Sequence, residues 1–166
     1  FGGAFFASFP LFYSTSFGGA YWVWMLILWS FVIQAVSYEF RTKANNFLGT
    51  KTFDTFLLIN GILGTILIGT AVGTFYTGSE FSVNKLNMTN VSNPVISRWE
   101  TATHGLEAAF NITNLALGIA VFFLVRVLAM LYFLNNIDNE NIQQRSSKTL
   151  KFCSPAFLVF FLLFLG

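Results

Sequence analysis

The most constraining feature of this sequence is a stretch without charge, from Phe17 to Tyr38, that is long enough to cross a lipid bilayer as a helix. About 20 consecutive apolar residues suffice to span the roughly 30 Å hydrocarbon core of a membrane. The stretch gives way abruptly to the charged segment 38–43, Tyr-Glu-Phe-Arg-Thr-Lys, and a second, glycine-rich apolar run begins at Phe56. This pattern is typical of an integral membrane protein, so the other residues are interpreted with lipid as the solvent.

The composition excludes an ordinary soluble domain. Charged side chains make up 10% of the 166 residues, against roughly 25% in soluble globular domains, and the mean hydropathy is +0.65. The formal charge of +2 and the lack of a basic block argue against nucleic acid as a partner. The single cysteine, Cys153, has no internal partner for a disulfide, and no group of cysteine and histidine has the spacing of metal ligands.

The apolar runs predict an all-α fold, a polytopic transmembrane helical bundle with about three complete spans and partial spans at both ends. Residues 1–16 are interrupted by Pro10 and are interpreted as the end of a preceding span and its turn. Neither end resembles a signal peptide, so we expect a single membrane domain that is part of a larger polytopic protein. The predicted spans, in order, are 17–38, 56–77, 105–134 and a truncated 152–166.

Lysine and arginine are denser in the first and third connecting loops than in the second. Three lie in 39–55 and three in 135–151, whereas the longer 78–104 holds only Lys85 and Arg98. Two spans separate the first and third loops, so these loops share a side of the membrane, and the positive-inside rule makes that side the cytoplasm. We therefore expect the middle loop to face outward. It contains two glycosylation sequons, but such triplets arise often by chance in Asn-rich segments and predict no modification here.

The second predicted span has small residues at a strict spacing of four, which places them along one ridge of the helix. Ridges of this kind bring helices together in lipid, where no hydrophobic force acts between them, so plain helix packing is the favoured interpretation. The functional alternative is a groove that seats a quinone tail or a lipid, and the sequence does not distinguish the two. The ridge consists of Gly61, Thr65, Gly69, Gly73 and Thr77.

The third predicted span has a polar stripe, because five residues at steps of three and four share one helical face. They are His104, Glu107, Asn111, Asn114 and Gly118. Such a stripe must face protein or a wet cavity. Arg126 lies near the same face, and an ionised group at mid-membrane costs roughly 2.5–3.5 kcal/mol on insertion scales. We expect Arg126 to pair with a carboxylate or to extend toward the cytoplasmic surface.

Two members of the stripe have competing interpretations. His104 is the only histidine, and without a second ligand at helical spacing a hydrogen-bonded interfacial histidine is favoured over a haem or metal ligand. Glu107 is more simply a helix-start carboxylate, stabilised by the helix dipole, than part of a proton path, although intramembrane carboxylates often serve in such paths. We therefore predict no catalytic, cofactor-binding or metal-ligating residue in this chain.

Mixed charges gather where the first predicted span ends and the second begins. We interpret this cluster as a solvated anchor at the bilayer surface, with proton entry or subunit docking as the functional alternative. Gln34, on the same face as Ser30, is a polar residue at membrane depth and needs a partner. The cluster consists of Glu39, Arg41, Lys43, Lys51 and Asp54.

Several segments, taken in order, resemble subunit II of cytochrome bd quinol oxidases, in the form found in Bacteroidetes. The most specific are the aromatic-proline segment 4–14 and the Glu-Phe-Arg-Thr-Lys end of 38–43. The resemblance continues through less discriminating hydrophobic sequence and covers nearly the whole chain. Its remaining segments are 17–21, 53–55, 69–78, 104–108 and 126–133.

The resemblance implies a multi-span subunit that pairs with a homologous subunit I in the bacterial inner membrane. The complex of that family oxidises quinol and reduces dioxygen to water with protons from the cytoplasm. Its haems, of b and d type, are ligated by subunit I. We therefore expect no cofactor bound by this chain, and as partners the haem-bearing subunit, membrane lipid and, in the groove alternative, quinone.

The chain departs from the family pattern in two respects. The family's first helix, with its Gly-Phe-Asp-x-Gly motif, and its Trp-Asp-Gly-Asn motif are missing, so the acidic group proposed for proton delivery is not expected here. Gln34 stands where the family often has arginine. The favoured function is an accessory subunit that scaffolds the haem subunit of the oxidase. The alternatives are a secondary transporter, suggested by the polar stripe beside a glycine-rich span, and a sensory or assembly factor.

Overall fold

Helices account for most of the chain in the computed structural model, which describes residues 2–43, 48–83 and 97–166. The helices are α1 (Gly2–Ser8), α2 (Pro10–Gly19), α3 (Tyr21–Phe40), α4 (Thr50–Thr77), α5 (Glu107–Phe110), α6 (Ile112–Asn136) and α7 (Glu140–Leu165). Two short strands, β1 (Phe81–Val83) and β2 (Ser97–Trp99), pair antiparallel between α4 and α5. Both sequons, at Asn87 and Asn90, lie outside the described residues.

Four helices, α3, α4, α6 and α7, are long and apolar enough to cross a membrane. They form a row in which α4 packs against α3 on one side and α6 on the other, while α6 also packs against α7. A small core between α3 and α4 includes Val23, Ile27 and Ala71, whereas many large apolar side chains point outward. The predicted all-α polytopic bundle is confirmed, and the exposed apolar faces suit lipid or other helices.

The helix boundaries differ from the predicted spans where polar residues extend a helix beyond its apolar part. The second span, expected from residue 56, begins at Thr50, after Gly49 with a φ of 77°. The last span, expected from residue 152, begins at Glu140, because the side chain of Asn139 accepts hydrogen bonds from two backbone N–H groups of its first turn. Most of the loop predicted at 135–151 is therefore helical.

The third predicted span is interrupted, contrary to the single helix expected over 105–134. Asn111 has an extended backbone, with φ of −64° and ψ of 126°, and its side chain accepts a hydrogen bond from the N–H of Thr113. It therefore acts as the N-cap of α6, a position that asparagine favours. The short helix α5 precedes it, so the polar residues before Asn111 do not continue the face of α6.

The hairpin of β1 and β2 packs on the junction between α2 and α3. The indole N–H of Trp99 donates to the carbonyl of Gly18 over 2.8 Å. Gly105, with a φ of 87°, lies so close to the backbone of Gly19 that it has no room for a side chain, and a side chain on Gly19 would meet the hydroxyl of Ser79. These contacts hold the turn that leads into α5. The first predicted span begins at Tyr21 instead of residue 17, since residue 17 belongs to α2.

Candidate functional site

The small-residue ridge of α4 lies against α6, and one half of it is closely packed. A Cβ atom added to Gly69 would lie 2.7 Å from the Cα atom of Gly118, and one added to Gly73 would lie 2.7 Å from the Oδ1 atom of Asn114. Each step of four along α4 is matched by a step of four backward along α6, so the helices run antiparallel. We call this closely packed part, Gly69, Gly73 and Thr77 against Asn114 and Gly118, the closed half of the ridge.

Asn114 is the polar centre of the closed half. Its side chain is fully buried. The amide Nδ2 donates to the carbonyl of Ala108 over 2.8 Å, and Oδ1 accepts from the hydroxyl of Thr77 over 2.9 Å. A continuous helix would use the Ala108 carbonyl for its own i to i+4 bond, and the break at Asn111 frees it. Asn114 therefore joins α4, α5 and α6 through a hydrogen-bonded buried group, which the interior tolerates.

The other half of the ridge is open. Apart from its own helical backbone, no atom of the described residues lies within 4 Å of a Cβ atom built on Gly61. Beside it is a cavity of about 220 Å³ that is lined by Gly61, Thr65, Phe122, Val125 and Arg126, among others. We call this cavity, with the residues that line it, the open groove. The predicted ridge of five therefore divides into a part that holds two helices together and a part that admits another group.

Arg126 projects from α6 into the open groove. Its guanidinium carbon lies 5.7 Å from the centre of the Phe122 ring, one turn back along the same helix. Among the described residues no carboxylate forms an ion pair with it; the three pairs found there involve other groups. The expected carboxylate partner is thus not within this part of the chain, and the side chain does not extend toward the end of α6 at Asn136.

The remaining residues of the predicted polar stripe lie before α6, in the turn that contains α5. His104 has a φ of 47°, is exposed, and lies edge-on against Trp99 with ring centres 4.7 Å apart. Glu107 begins α5, and Asn111 caps α6. The prediction that these residues share one face of a single helix is therefore wrong, because Asn111 caps α6 and interrupts the helix between His104 and Asn114.

Glu107 lies at the edge of an open cavity of about 600 Å³, between the end of α4 and α5. The Thr103 hydroxyl donates to one of its carboxylate oxygens. Burial is the largest influence and raises the pKa of Glu107, but hydrogen bonds from Thr103, from the N–H groups of Glu107 and Glu80 and from Thr101 together hold that pKa below its ordinary value. The carboxylate is therefore stabilised in its charged form.

Two ion pairs lie in the charged cluster where α3 ends and α4 begins. The Nε atom of Arg41 lies 2.5 Å from Oδ1 of Asp54, which joins the end of α3 to the start of α4. Lys43 lies 2.8 Å from Glu39 one turn earlier, and the hydrogen bond and charge of Glu39 raise the pKa of Lys43. All four side chains are substantially exposed, so their electrostatic interactions are screened by solvent and contribute little to stability.

The side chains of Gln34 and Lys51 form no ion pair or hydrogen bond with the other residues that the structure describes. Gln34 is half-buried on α3, and within the described ranges it has no hydrogen-bond partner. Lys51 is exposed in the first turn of α4. The structure therefore leaves the partner that was expected for Gln34 unassigned.

Sequence reasoning missed a second buried polar contact, between α3 and α4. The Ser30 hydroxyl donates to Oδ1 of Asn60 over 3.5 Å, and Ser30 also packs against Gly64, where an added Cβ would lie 2.9 Å from its hydroxyl oxygen. Asn60 is buried, and its Nδ2 atom has no hydrogen-bond partner among the described residues. A single asparagine inside the apolar run of α4 was the available signal.

Fold and site together define a polytopic helical membrane protein with buried polar contacts between its spans. Among the residues the structure describes, no group of three or more His, Cys, Asp or Glu side chains has the arrangement of a metal site. The chain belongs to the cytochrome bd terminal oxidase subunit II family, which it matches over residues 1–166. The predicted family is confirmed, and the Bacteroidetes form stays a prediction.

Two relatives show how far this similarity extends. The chain is 32% identical over 85 residues to the probable cytochrome oxidase subunit 2 of Haemophilus influenzae, which covers 51% of this chain and 22% of the relative. It is 30% identical over 84 residues to the cytochrome bd-I ubiquinol oxidase subunit 2 of Escherichia coli K12, again covering 51% of the chain and 22% of the relative. The similarity therefore extends over about a fifth of the length of each of these relatives.

Proposed function

We propose that this chain is part of an accessory subunit of a bd-type quinol oxidase, which passes electrons from quinol to dioxygen and takes up protons from the cytoplasm. The observation that carries the proposal is the match of residues 1–166 to the subunit II family. The E. coli relative is named as a subunit of a ubiquinol oxidase. In this proposal the chain scaffolds a haem-bearing subunit I and contributes no catalytic residue of its own.

The closed half of the ridge supports a scaffolding role. Gly69 and Gly73 allow α4 and α6 to approach backbone to backbone, and Asn114 satisfies both of its polar atoms across three helices. Hydrogen bonds and close packing are the forces that hold helices together in lipid. The result is a rigid pair of spans whose outward faces carry large exposed apolar side chains, as a surface for a second membrane subunit requires.

The placement of haems b and d in the partner subunit is supported by the surroundings of His104. Haem iron in proteins is commonly held by histidine, with methionine as a frequent second ligand. The only histidine of this sequence lies in the outer turn against Trp99, and its backbone carbonyl accepts a hydrogen bond from the N–H of Trp22. This fits a structural role for His104 at the membrane surface.

The proposed setting is the bacterial inner membrane, with 39–55 and 135–151 in the cytoplasm and 78–104 on the periplasmic side. Lysine and arginine concentrate near the inner ends of α3, α4 and α7, which supports this orientation. Lipid is expected on the exposed apolar faces, and a quinone remains an alternative occupant of the small-residue ridge. The secondary transporter has weaker support, because the family to which the chain belongs is an oxidase family.

The test is to purify the full-length subunit gently through a tag and to examine what accompanies it. We expect a haem-bearing partner in constant ratio, an optical spectrum with haem d absorbance, and quinol-dependent oxygen uptake. An unrelated tagged membrane protein from the same cells serves as the control. Purified subunit without haem or oxygen uptake would show the proposal to be wrong, and solute uptake by vesicles containing the subunit alone would favour the transporter.

A further inference from the structure

The open groove continues the register of the closed half. Gly69 faces Gly118 and Gly73 faces Asn114. The same steps of four, taken in the other direction, place Thr65 opposite Phe122 and Gly61 opposite Arg126, and these four residues do line one cavity. The two helices therefore diverge at the level of Gly61 on α4 and Arg126 on α6. The space between them is not filled by side chains of the described residues.

The level of Arg126 is far from both ends of α4. Gly61, which faces it, lies seven residues after Asp54 and 16 residues before Thr77. At 1.5 Å per residue these separations are about 10 Å and about 24 Å. Asp54 belongs to the charged cluster and Thr77 ends the helix. The backbone of Arg126 is thus within the apolar part of the bundle.

The Arg126 side chain points away from the end of the bundle at which Asp54 lies, so its charge is deeper in the bundle than its backbone. Side chains on a helix lean toward its N-terminus, and the guanidinium group follows this direction to lie over Phe122. Phe122 faces Thr65, one turn further from Asp54 than Gly61 is. A lipid phosphate at the membrane surface lies outside the hydrocarbon core, so the charge at this depth calls for a protein carboxylate instead.

We propose that the open groove is a docking site for a membrane-spanning helix of the haem-bearing subunit, and that this helix brings an aspartate or glutamate opposite Arg126. The inference rests on the proposed function for its choice of partner. Gly61 and Thr65 let the partner helix approach closely, the Phe122 ring holds the guanidinium in position, and ionised groups at membrane depth are expected to pair with one another. Arg126 thereby selects both the partner and its register.

The occupant of the groove is identified by photo-cross-linking in the intact complex. A photoreactive amino acid replaces Leu58, which lines the groove and is 65% exposed, and a second complex carries it at Phe152 on α7 as the control. We expect the Leu58 position to label a spanning segment of the haem-bearing subunit that contains an acidic residue, and the Phe152 position not to label that segment. Labelling only of lipid, or only of another span of the same subunit, would overturn the inference.

Charge variants test the ion pair. Arg126→Gln in the full-length complex should lower the recovered haem-bearing subunit by roughly tenfold or more, as expected when one member of a desolvated interfacial pair is removed. Arg126→Lys should retain most of it, and a basic residue in place of the labelled acid should restore recovery with Arg126→Glu. The matched control is Arg145→Gln, at an exposed arginine near the start of α7, which should recover wild-type amounts.

The outcomes separate this inference from the proposed function. Removal of a charge from an apolar segment favours membrane insertion, so the amount of Arg126→Gln subunit in the membrane should match the wild type. If that variant recovers as much partner as the wild type does, the docking inference is wrong while the proposed function stands. If the wild-type subunit recovers no haem-bearing partner, the proposed function itself is wrong.

Discussion

At the scale of single residues, Asn114 has the greatest influence on the structure of the bundle. Asn114→Ala in the full-length subunit should destabilise it, because the Ala108 carbonyl and the Thr77 hydroxyl lose their partner. Single hydrogen bonds between membrane helices contribute about 0.6 kcal/mol on average and up to about 1.7. Loss of both bonds and of the packed amide should therefore lower stability by about 1–3 kcal/mol, measured by thermal unfolding in detergent.

Asn136 offers a control of the same residue type. It is exposed at the end of α6, where its amide donates to the carbonyl of Tyr132. Asn136→Ala should change the unfolding temperature little. Equal destabilisation by the two substitutions would show that burial of Asn114 has no special effect.

The lowered pKa of Glu107 predicts that the stability of the folded protein depends on pH. Its folded-state pKa lies below the unfolded value, so its charged form stabilises the folded protein at neutral pH and this contribution is lost as the pH falls below about 4.5. Glu107→Gln should remove that part of the loss. Thr103→Val, which deletes a hydrogen bond that lowers the pKa, should move the loss to higher pH. Unfolding temperatures are measured from pH 7 to well below 4.5, and a shift of the loss to lower pH in Thr103→Val would contradict the assignment.

At the scale of helices, the two halves of the ridge on α4 predict opposite responses to the same substitution. Gly69→Ala places a methyl group against the backbone of α6 and should destabilise the subunit by about 1–3 kcal/mol, as overpacking does. Gly61→Ala meets no atom and should leave the stability of the separate subunit unchanged or slightly raise it, since alanine favours helix. Thermal unfolding of the full-length subunit in detergent makes the comparison.

The helices themselves were predictable from sequence because their signals are local. An uncharged run long enough to span lipid needs no knowledge of its neighbours, and the spacing of Gly69 and Gly73 placed both on one ridge. The break at Asn111 could not be predicted as well, because asparagine also occurs inside helices. The spacing of His104 and Glu107 also suggested one continuous helix. The outer hairpin was missed because its position depends on tertiary contacts such as that of Trp99 with Gly18.

The site was predictable only as a set of candidates. The polar character of Asn114 and the charge of Arg126 are evident in the sequence, but their partners are not. The Ala108 carbonyl becomes available only where the helix is interrupted, and the separation of α4 from α6 at Gly61 depends on how the two helices diverge. The buried contact of Asn60 with Ser30 was not predicted, because a single polar residue in an apolar run forms no periodic pattern.

At the scale of the whole molecule, the distribution of positive charge predicts a testable orientation. Single cysteines at Thr42, Asp138 and Ala102, in a Cys153→Ala background, would be exposed to solvent at three connections. A membrane-impermeant thiol reagent should label only the cysteine at 102 in intact cells, and those at 42 and 138 only in inverted vesicles. Labelling of 42 and 102 from the same side would contradict the predicted arrangement of spans.

The close approach of Gly105 to the backbone of Gly19 leaves no space for a side chain at Gly105. A methyl group on Gly105 would overlap the backbone carbonyl of Gly19, although the two residues are distant in the chain, whereas a methyl group on Gly19 would meet the hydroxyl of Ser79. A substitution at Gly105 would therefore push the turn that contains it away from the junction of α2 and α3, while the apolar faces of the spans would stay unaltered. Such a substitution would change the connection between β2 and α5 without removing the protein from the membrane.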